Sequence, residues 1–232
     1  VIAEALIQEG HTLKGVPGFY QNKSGHWTLN VTKWTAGILI LIISIDGFIQ
    51  GMQIRLDKPF ADDNGKKTKY IWLSSTDKPN GVSSGSPVHF VGDPCDRTVY
   101  ITEGGLKGTI AHCLLNRTFV CLAGSNNLSA LEPLLAKLKA NGTQVIVEAH
   151  DMDKFRNKHV YAGAGKIHTL AHQYGLGVKR LTWNPNHKGI DDWALHLLLK
   201  QQQIESEETT MTFKELYLNG KCAFDTIEEH IN

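Results

Sequence analysis

The sequence predicts an α/β protein in which a central, mostly parallel sheet flanked by helices follows a smaller α+β subdomain. Three observations carry this expectation. From Thr98 onward, short apolar strands alternate with helix-length segments, the pattern of βαβ units with right-handed crossovers. Upstream, Asp46-Gly47 separates two strand-like runs, a strong short-range hairpin signal. Acidic residues then recur where strands run out: Glu103, Asp151-Met152-Asp153, and Asp191-Asp192 just inside a helix start. In open parallel sheets the ligand crevice lies outside the carboxyl ends of the strands, so acids at such places converge.

Composition narrows the class. With 232 residues and 41% hydrophobic content, the chain has enough apolar side chains for one large domain or two small ones, which excludes disorder as a whole. The longest apolar stretch, Gly37 to Ile45, is about half of what a membrane span needs and reads as a buried strand. No basic region precedes an apolar one at the start, so no secretory signal is read, and a chain beginning with Val is expected to be a fragment or a processed product. Cys95, Cys113, Cys121 and Cys222 form no C-x-x-C pair, which fits reduced thiols in a cytoplasmic protein. The N-x-S/T matches at Asn22, Asn30, Asn116, Asn127 and Asn141 are then chance occurrences. A net charge of +1 supplies no global field for nucleic acid, so any such contact needs a local patch.

Taken in order, residues 1–36 open with an amphipathic segment, Ile2 to Ile7. They continue into Gly15-Val16-Pro17-Gly18-Phe19-Tyr20, which cannot extend a helix. The hairpin pairs Gly37–Ile45 with Phe48–Leu56, and Lys69–Leu73 reads as a further strand. Ser74 to Asp96, with Pro79, Pro87 and Pro94, reads as a polar loop, placing a boundary near residue 96. Strands are expected at Thr98–Thr102, Thr118–Leu122, Gln144–Ala149 and Gly177–Thr182. Helices are expected at Leu106–Leu115, Leu128–Ala140, Asn157–Tyr174 and Ile190–Gln203. The remainder from Ile204 to Asn232 reads as a linker and tail. Domains are thus expected at 1–96, 97–200 and 201–232.

Clustered carboxylates of this kind read as a divalent-metal site, because their mutual repulsion costs several kcal/mol unless a cation or protons offset it. Hard oxygen ligands suit Mg²⁺ or Mn²⁺ better than zinc.

Glu103-Gly104-x-x-Lys107 at a strand-to-helix turn, followed by Asp151-x-Asp153 closing an apolar strand, resembles the toprim domain shared by bacterial-type primases, topoisomerases and some nucleases. Gly51-Met52-Gln53-Ile54-Arg55 and then Lys69-Tyr70 resemble the stretch preceding toprim in primases. Gly15 to Tyr20 and Lys188-Gly189-Ile190-Asp191-Asp192 are similar to primase-like proteins of plasmids, phages and integrative elements. The resemblance covers roughly residues 12 to 200. It departs from the family pattern at Leu41, Ile43 and Ser44, where relatives usually carry Pro, Arg and Asp.

The resemblance implies a Mg²⁺- or Mn²⁺-dependent nucleotidyltransferase, the catalytic core of a DNA primase of a mobile element, making RNA primers on single-stranded DNA from nucleoside triphosphates. It implies Asp151, Asp153 and one of Asp191 or Asp192 as metal ligands, with Glu103 as general base or further ligand. Lys107 joins the catalytic set, and Arg55, Lys69 and Lys188 are candidate contacts to nucleotide or nucleic acid. A replicative helicase and a zinc-binding domain outside this chain are the implied protein partners, and no membrane is implied.

Other readings compete. A toprim nuclease would use the same acids, and a catalytically silent toprim module would bind nucleic acid or a replication partner. A haloacid-dehalogenase-type phosphatase also places Asp-x-Asp at a strand end, but on the first strand of its domain, with Thr or Val where this chain has Phe155. Gly81-Val82-Ser83-Ser84-Gly85 matches the nucleophile-elbow motif without the strand and helix it requires. His168 and His172 have zinc-ligand spacing without a third ligand, and Trp72 and Trp183 read as core residues before stacking platforms.

Overall fold

The computed structural model describes residues 2–61, 65, 67–124 and 128–205. Lys66, Cys222 and the tail beyond Glu205 lie outside the described residues. The chain forms two compact units, one up to Pro87 and one from Val88 onward.

In the first unit, helix α1 (Ile2–Gln8) buries Ala3 in a small cluster with Leu13 and Phe19. Strands β1 (Phe19–Gln21) and β2 (Trp27–Leu29) form an antiparallel pair that sequence reading left unassigned, since each is three residues long. The expected hairpin is present as β3 (Gly37–Ile43) and β4 (Ile49–Ala61), turning at Asp46-Gly47 with Gly47 at φ 82°, but β3 is not the buried strand expected: only Ile40 and Ile42 are buried, while Ile38, Leu39 and Leu41 are exposed. Strand β5 (Lys67–Trp72) pairs with β4 to complete a three-stranded antiparallel sheet, with Ile54, Leu56 and Leu73 as its core.

The second unit is a five-stranded sheet in the order β10-β9-β7-β8-β6, with every pair parallel except β6 against β8. Its strands are β6 (His89–Val91), β7 (Thr98–Glu103), β8 (Thr118–Leu122), β9 (Val145–Glu148) and β10 (Gly177–Arg180). Helices α2 (Gly105–Leu115), α3 (Leu131–Ala140) and α4 (Lys158–Gln173) are the crossovers, and α5 (Ile190–Glu205) packs on α2. Strand β6 corrects the expectation of a polar loop from Ser74 to Asp96. Its three residues are too short to read as periodic, and an antiparallel edge position tolerates the flanking prolines. Helix α3 begins at Leu131, three residues later than expected from the apolar pattern.

Both faces of this sheet are covered, which is why its strands read as continuous apolar runs. On one face Tyr100, Phe119 and Val147 lie in one register row and pack with Ala111, Ile190 and Trp193. The alternate residues Val99, Ile101, Val120 and Ile146 are fully buried as well. The strand order reverses at β7: its chain continues to β8 on one side, and the crossover through α3 returns to β9 on the other. Such a switch point opens a crevice at the strands' carboxyl ends.

Helix α2 reaches that crevice through two glycines. Gly104 turns the chain sharply at φ 80° while its amide donates to the Leu122 carbonyl at 2.7 Å. Gly108 lies against Cys121, where a side-chain carbon would collide with the sulfur and sit 3.3 Å from Cys121 Cβ. Close approach of helix to strand therefore depends on the missing side chain.

His89 on β6 is buried, and one ring nitrogen meets the Thr109 hydroxyl at 3.1 Å. Burial pulls its pKa down to about 4. Because the unfolded chain takes up this proton near the ordinary histidine value and the folded protein does not, stability is fully present above about pH 6.5. It declines as pH falls toward 4, by up to about 3 kcal/mol. Urea denaturation between pH 7 and 4 checks this: the loss should be largely absent in His89→Gln, and equal slopes in both proteins would contradict it.

Candidate metal centre

The carboxyl ends of β7 and β9 supply the first acids. Glu103 is the last residue of β7, and Asp151 follows β9 at the head of a 3₁₀ turn, Met152–Phe155, that carries Asp153. The Lys107 ammonium, in the first turns of α2, donates to Asp151 Oδ1. Lys188 lies 3.3 Å from Asp153 Oδ2 and 3.8 Å from Asp151 Oδ2. Its backbone carbonyl accepts from the Met152 amide at 3.0 Å, tying the segment before α5 to the turn.

The two acids at the start of α5 part company. Asp192 Oδ2 accepts from the Gly189 amide at 3.3 Å, closing the helix start as a cap. Asp191 instead lies beside Gly189 and the stem of Lys107; a side-chain carbon on Gly189 would collide with Asp191 Oδ1 and stand 3.1 Å from Lys107 Cε. Asp191 therefore joins Glu103, Asp151 and Asp153 near Lys107, whereas Asp192 serves the helix.

Electrostatics agree with this grouping. Burial pushes the Glu103 pKa up, with the charges of Asp151 and Asp153 adding and those of His150 and Lys107 offsetting. Burial likewise raises Asp191, with Asp192 adding and Lys107 opposing. For Lys188, burial works downward, but its hydrogen bond to Asp153 and the charges of Asp153, Asp151 and Glu103 win and raise its pKa. Two lysines thus face four carboxylates.

Three of those carboxylates keep a buried oxygen without a hydrogen bond: Glu103 Oε1, Asp153 Oδ1 and Asp191 Oδ1. An unsatisfied buried acceptor costs roughly 1–3 kcal/mol, more when charged, and is uncommon enough to need a reason. Spare carboxylate oxygens are the donor set that Mg²⁺ or Mn²⁺ takes, so the residues fit the expected cofactor. Among the described residues, no three acid, histidine or cysteine groups stand where they could together hold a metal ion; Asp151 is paired with Lys107 and Asp153 with Lys188.

Other candidates fall elsewhere. Arg55 on β4 is exposed and paired with Ile38 and Tyr70 across the sheet, and Lys69 is exposed on β5; both belong to the first unit. Gly81 to Gly85 has neither strand before it nor helix after it. Trp183 stacks on Trp193 at 5.6 Å and donates to the His187 carbonyl at 2.7 Å, which is core packing.

Sequence reading missed a buried charged group under the acidic turn. Glu148, fully buried, accepts from Lys154 Nζ at 3.0 and 3.2 Å, from Arg180 Nε at 2.7 Å and from the His150 amide at 2.8 Å. Burial alone would raise Glu148, but the His150 imidazole, 3.4 Å away, and the Lys154 charge hold it at about 2, while burial pulls Lys154 downward. A glutamate inside the apolar run Val145 to Ala149 was the available signal, since acids are almost never fully buried unless paired.

The comparisons with known proteins follow this geometry. A family model described as "Domain of unknown function (DUF3854)" matches residues 90–197. No curated protein matches. The crystal structure of the Aquifex aeolicus primase (zinc-binding and RNA polymerase domains) is similar, with a TM-score of 0.53 and 15% identity, over 90% of this chain and 55% of that one. A DNA primase domain from Pseudomonas aeruginosa gives a TM-score of 0.47 at 14% identity, over 97% of this chain and 70% of that one. The fold is primase-like. This chain spans about half the length of the Aquifex chain.

The division of labour between the adjacent aspartates is directly testable. Asp192→Ala should lower stability by about 1 kcal/mol through loss of its hydrogen bond from the Gly189 amide. Asp191→Asn should leave the metal-free protein as stable or raise its Tm, because it removes a buried charge with a spare oxygen. Thermal melts in the presence of a chelator check both; equal destabilisation by the two substitutions would contradict the assignment.

Proposed function

We propose that this chain is the metal-dependent nucleotidyl-transfer core of a primase, extending RNA primers on single-stranded DNA. The observation that carries the reading is the convergence of Glu103, Asp151, Asp153 and Asp191 at the crevice of a primase-like fold, with buried carboxylate oxygens to spare. The sequence resemblance to toprim primases supports the reaction class and a place in the replication of a mobile element.

In this reading Asp151, Asp153 and Asp191 would hold Mg²⁺ or Mn²⁺, which when bound would supply charge neutralisation for triphosphate and pyrophosphate oxygens. Glu103, its pKa raised by burial, accepts the proton of an attacking 3′-hydroxyl or stands as a further ligand. Lys107 and Lys188, the present counter-ions of the aspartates, are the donors available to phosphate oxygens. Lys188 is two-thirds exposed, whereas Lys107 is mostly buried and bonded to Asp151. Arg55 and Lys69 serve the nucleic acid from the first unit. A helicase and a zinc-binding domain would be partners from outside this chain.

A silent nucleic-acid-binding module is the second reading, favoured by Ile43, which stands where primase relatives usually carry arginine.

Primer synthesis decides between them. With mixed single-stranded DNA templates, labelled ribonucleotides and Mg²⁺ or Mn²⁺, oligoribonucleotides should form and fall at least a hundredfold in an Asp151→Asn/Asp153→Asn variant. Absence of product from wild type, or equal product from the variant, would overturn the reading.

A further inference from the structure

Lys154 is the least expected residue in the fold: it follows Asp153 directly, yet it is 1% exposed. All three ammonium protons are placed, with bonds to both Glu148 oxygens at 3.0 and 3.2 Å and to the Leu181 carbonyl at 3.1 Å. Charge balance does not require this, because Arg180 Nε already meets Glu148 at 2.7 Å from a side chain that is a quarter exposed. What Lys154 adds is direction. It joins the end of β9, the 3₁₀ turn and the segment after β10 at one buried point.

We propose that the Lys154–Glu148 pair is a positioning device that closes residues 148–154 into a fixed loop presenting Asp151 and Asp153 to the metal. The proposal rests on the metal-centre reading above. Within the loop, two carboxylates repel each other and draw on a short turn. The turn is also held at Met152, by its amide on the Lys188 carbonyl at 3.0 Å and by the Trp183 amide on its sulfur at 3.5 Å, and at the carboxylates, by Lys107 on Asp151 and by Lys188 on Asp153 at 3.3 Å. The Lys188 contact comes from a side chain that is two-thirds exposed. Lys154 is a fully buried anchor, and it ties the turn both to β9 and to the segment after β10. A buried ion pair adds little net stability compared with well-packed apolar groups, so the role assigned to it here is geometric. Lys154 and Glu148 are positioning residues and touch neither substrate nor metal.

Lys154→Met in the full chain tests this, with amide hydrogen exchange and Mn²⁺ calorimetry read together. Amides at 152, 154 and 156 should exchange at least tenfold faster, with those of Ile101 and Val147 in the sheet unchanged, and the Mn²⁺ Kd should rise at least tenfold. Wild-type protection in the turn, or faster exchange shared evenly with the sheet, would overturn the proposal as a role in overall stability only. If the single variant does not fold, Glu148→Gln/Lys154→Met carries the same comparison. Turn amides that loosen in the variant, in a wild-type protein that binds no Mn²⁺, would support the positioning role and refute the metal reading instead.

Discussion

The second unit is organised around mutual repulsion among carboxylates that its topology forces together. A parallel sheet whose strand order reverses at β7 delivers the ends of β7 and β9 to one crevice, and both ends carry acids. Packing α5 on α2 adds Asp191. In water such groups would sit apart. Here burial raises Glu103 and Asp191, and two lysines with different freedom offset the aspartates. Lys107 is held by a helix that depends on Gly104 and Gly108 to approach the sheet, while Lys188 lies largely in solvent. On the proposed reading, a divalent cation entering this crevice would relieve the repulsion that the fold has concentrated.

Beneath the acids lies a second charged layer with the opposite logic. Glu148 is enclosed, accepts from Lys154, Arg180 and the His150 amide, and is held ionised. The upper layer leaves oxygens spare; the lower leaves none of the Glu148 or Lys154 groups idle. Hydrogen bonds of this kind are electrostatically stronger in a low-dielectric interior than in water.

Much of this was legible in the sequence, for identifiable reasons. Thr118–Leu122 was read to the residue because a five-residue apolar run buried on both faces has no competing interpretation. The hairpin at Asp46-Gly47 was readable because a positive-φ turn demands glycine. Strand β6 was not readable, since His89-Phe90-Val91 gains its identity only from pairing with β8, a tertiary contact. At the site, Glu103 and the Asp-x-Asp pair stood out as acids ending apolar strands. The choice between Asp191 and Asp192 did not, because neighbouring residues on a helix differ in direction and sequence spacing alone does not tell which faces the crevice. Lys154 carries no sequence signal of its own; what holds it inside is Glu148, six residues earlier.

The account turns on whether the carboxylate crevice binds a divalent cation at all. Calorimetric titration of the metal-free chain with Mn²⁺, alongside Asp151→Asn and Asp192→Asn variants, measures this most directly. Saturable binding in wild type, lost in Asp151→Asn and kept in Asp192→Asn, is the result predicted. No saturable binding, or binding indifferent to Asp151, would contradict it.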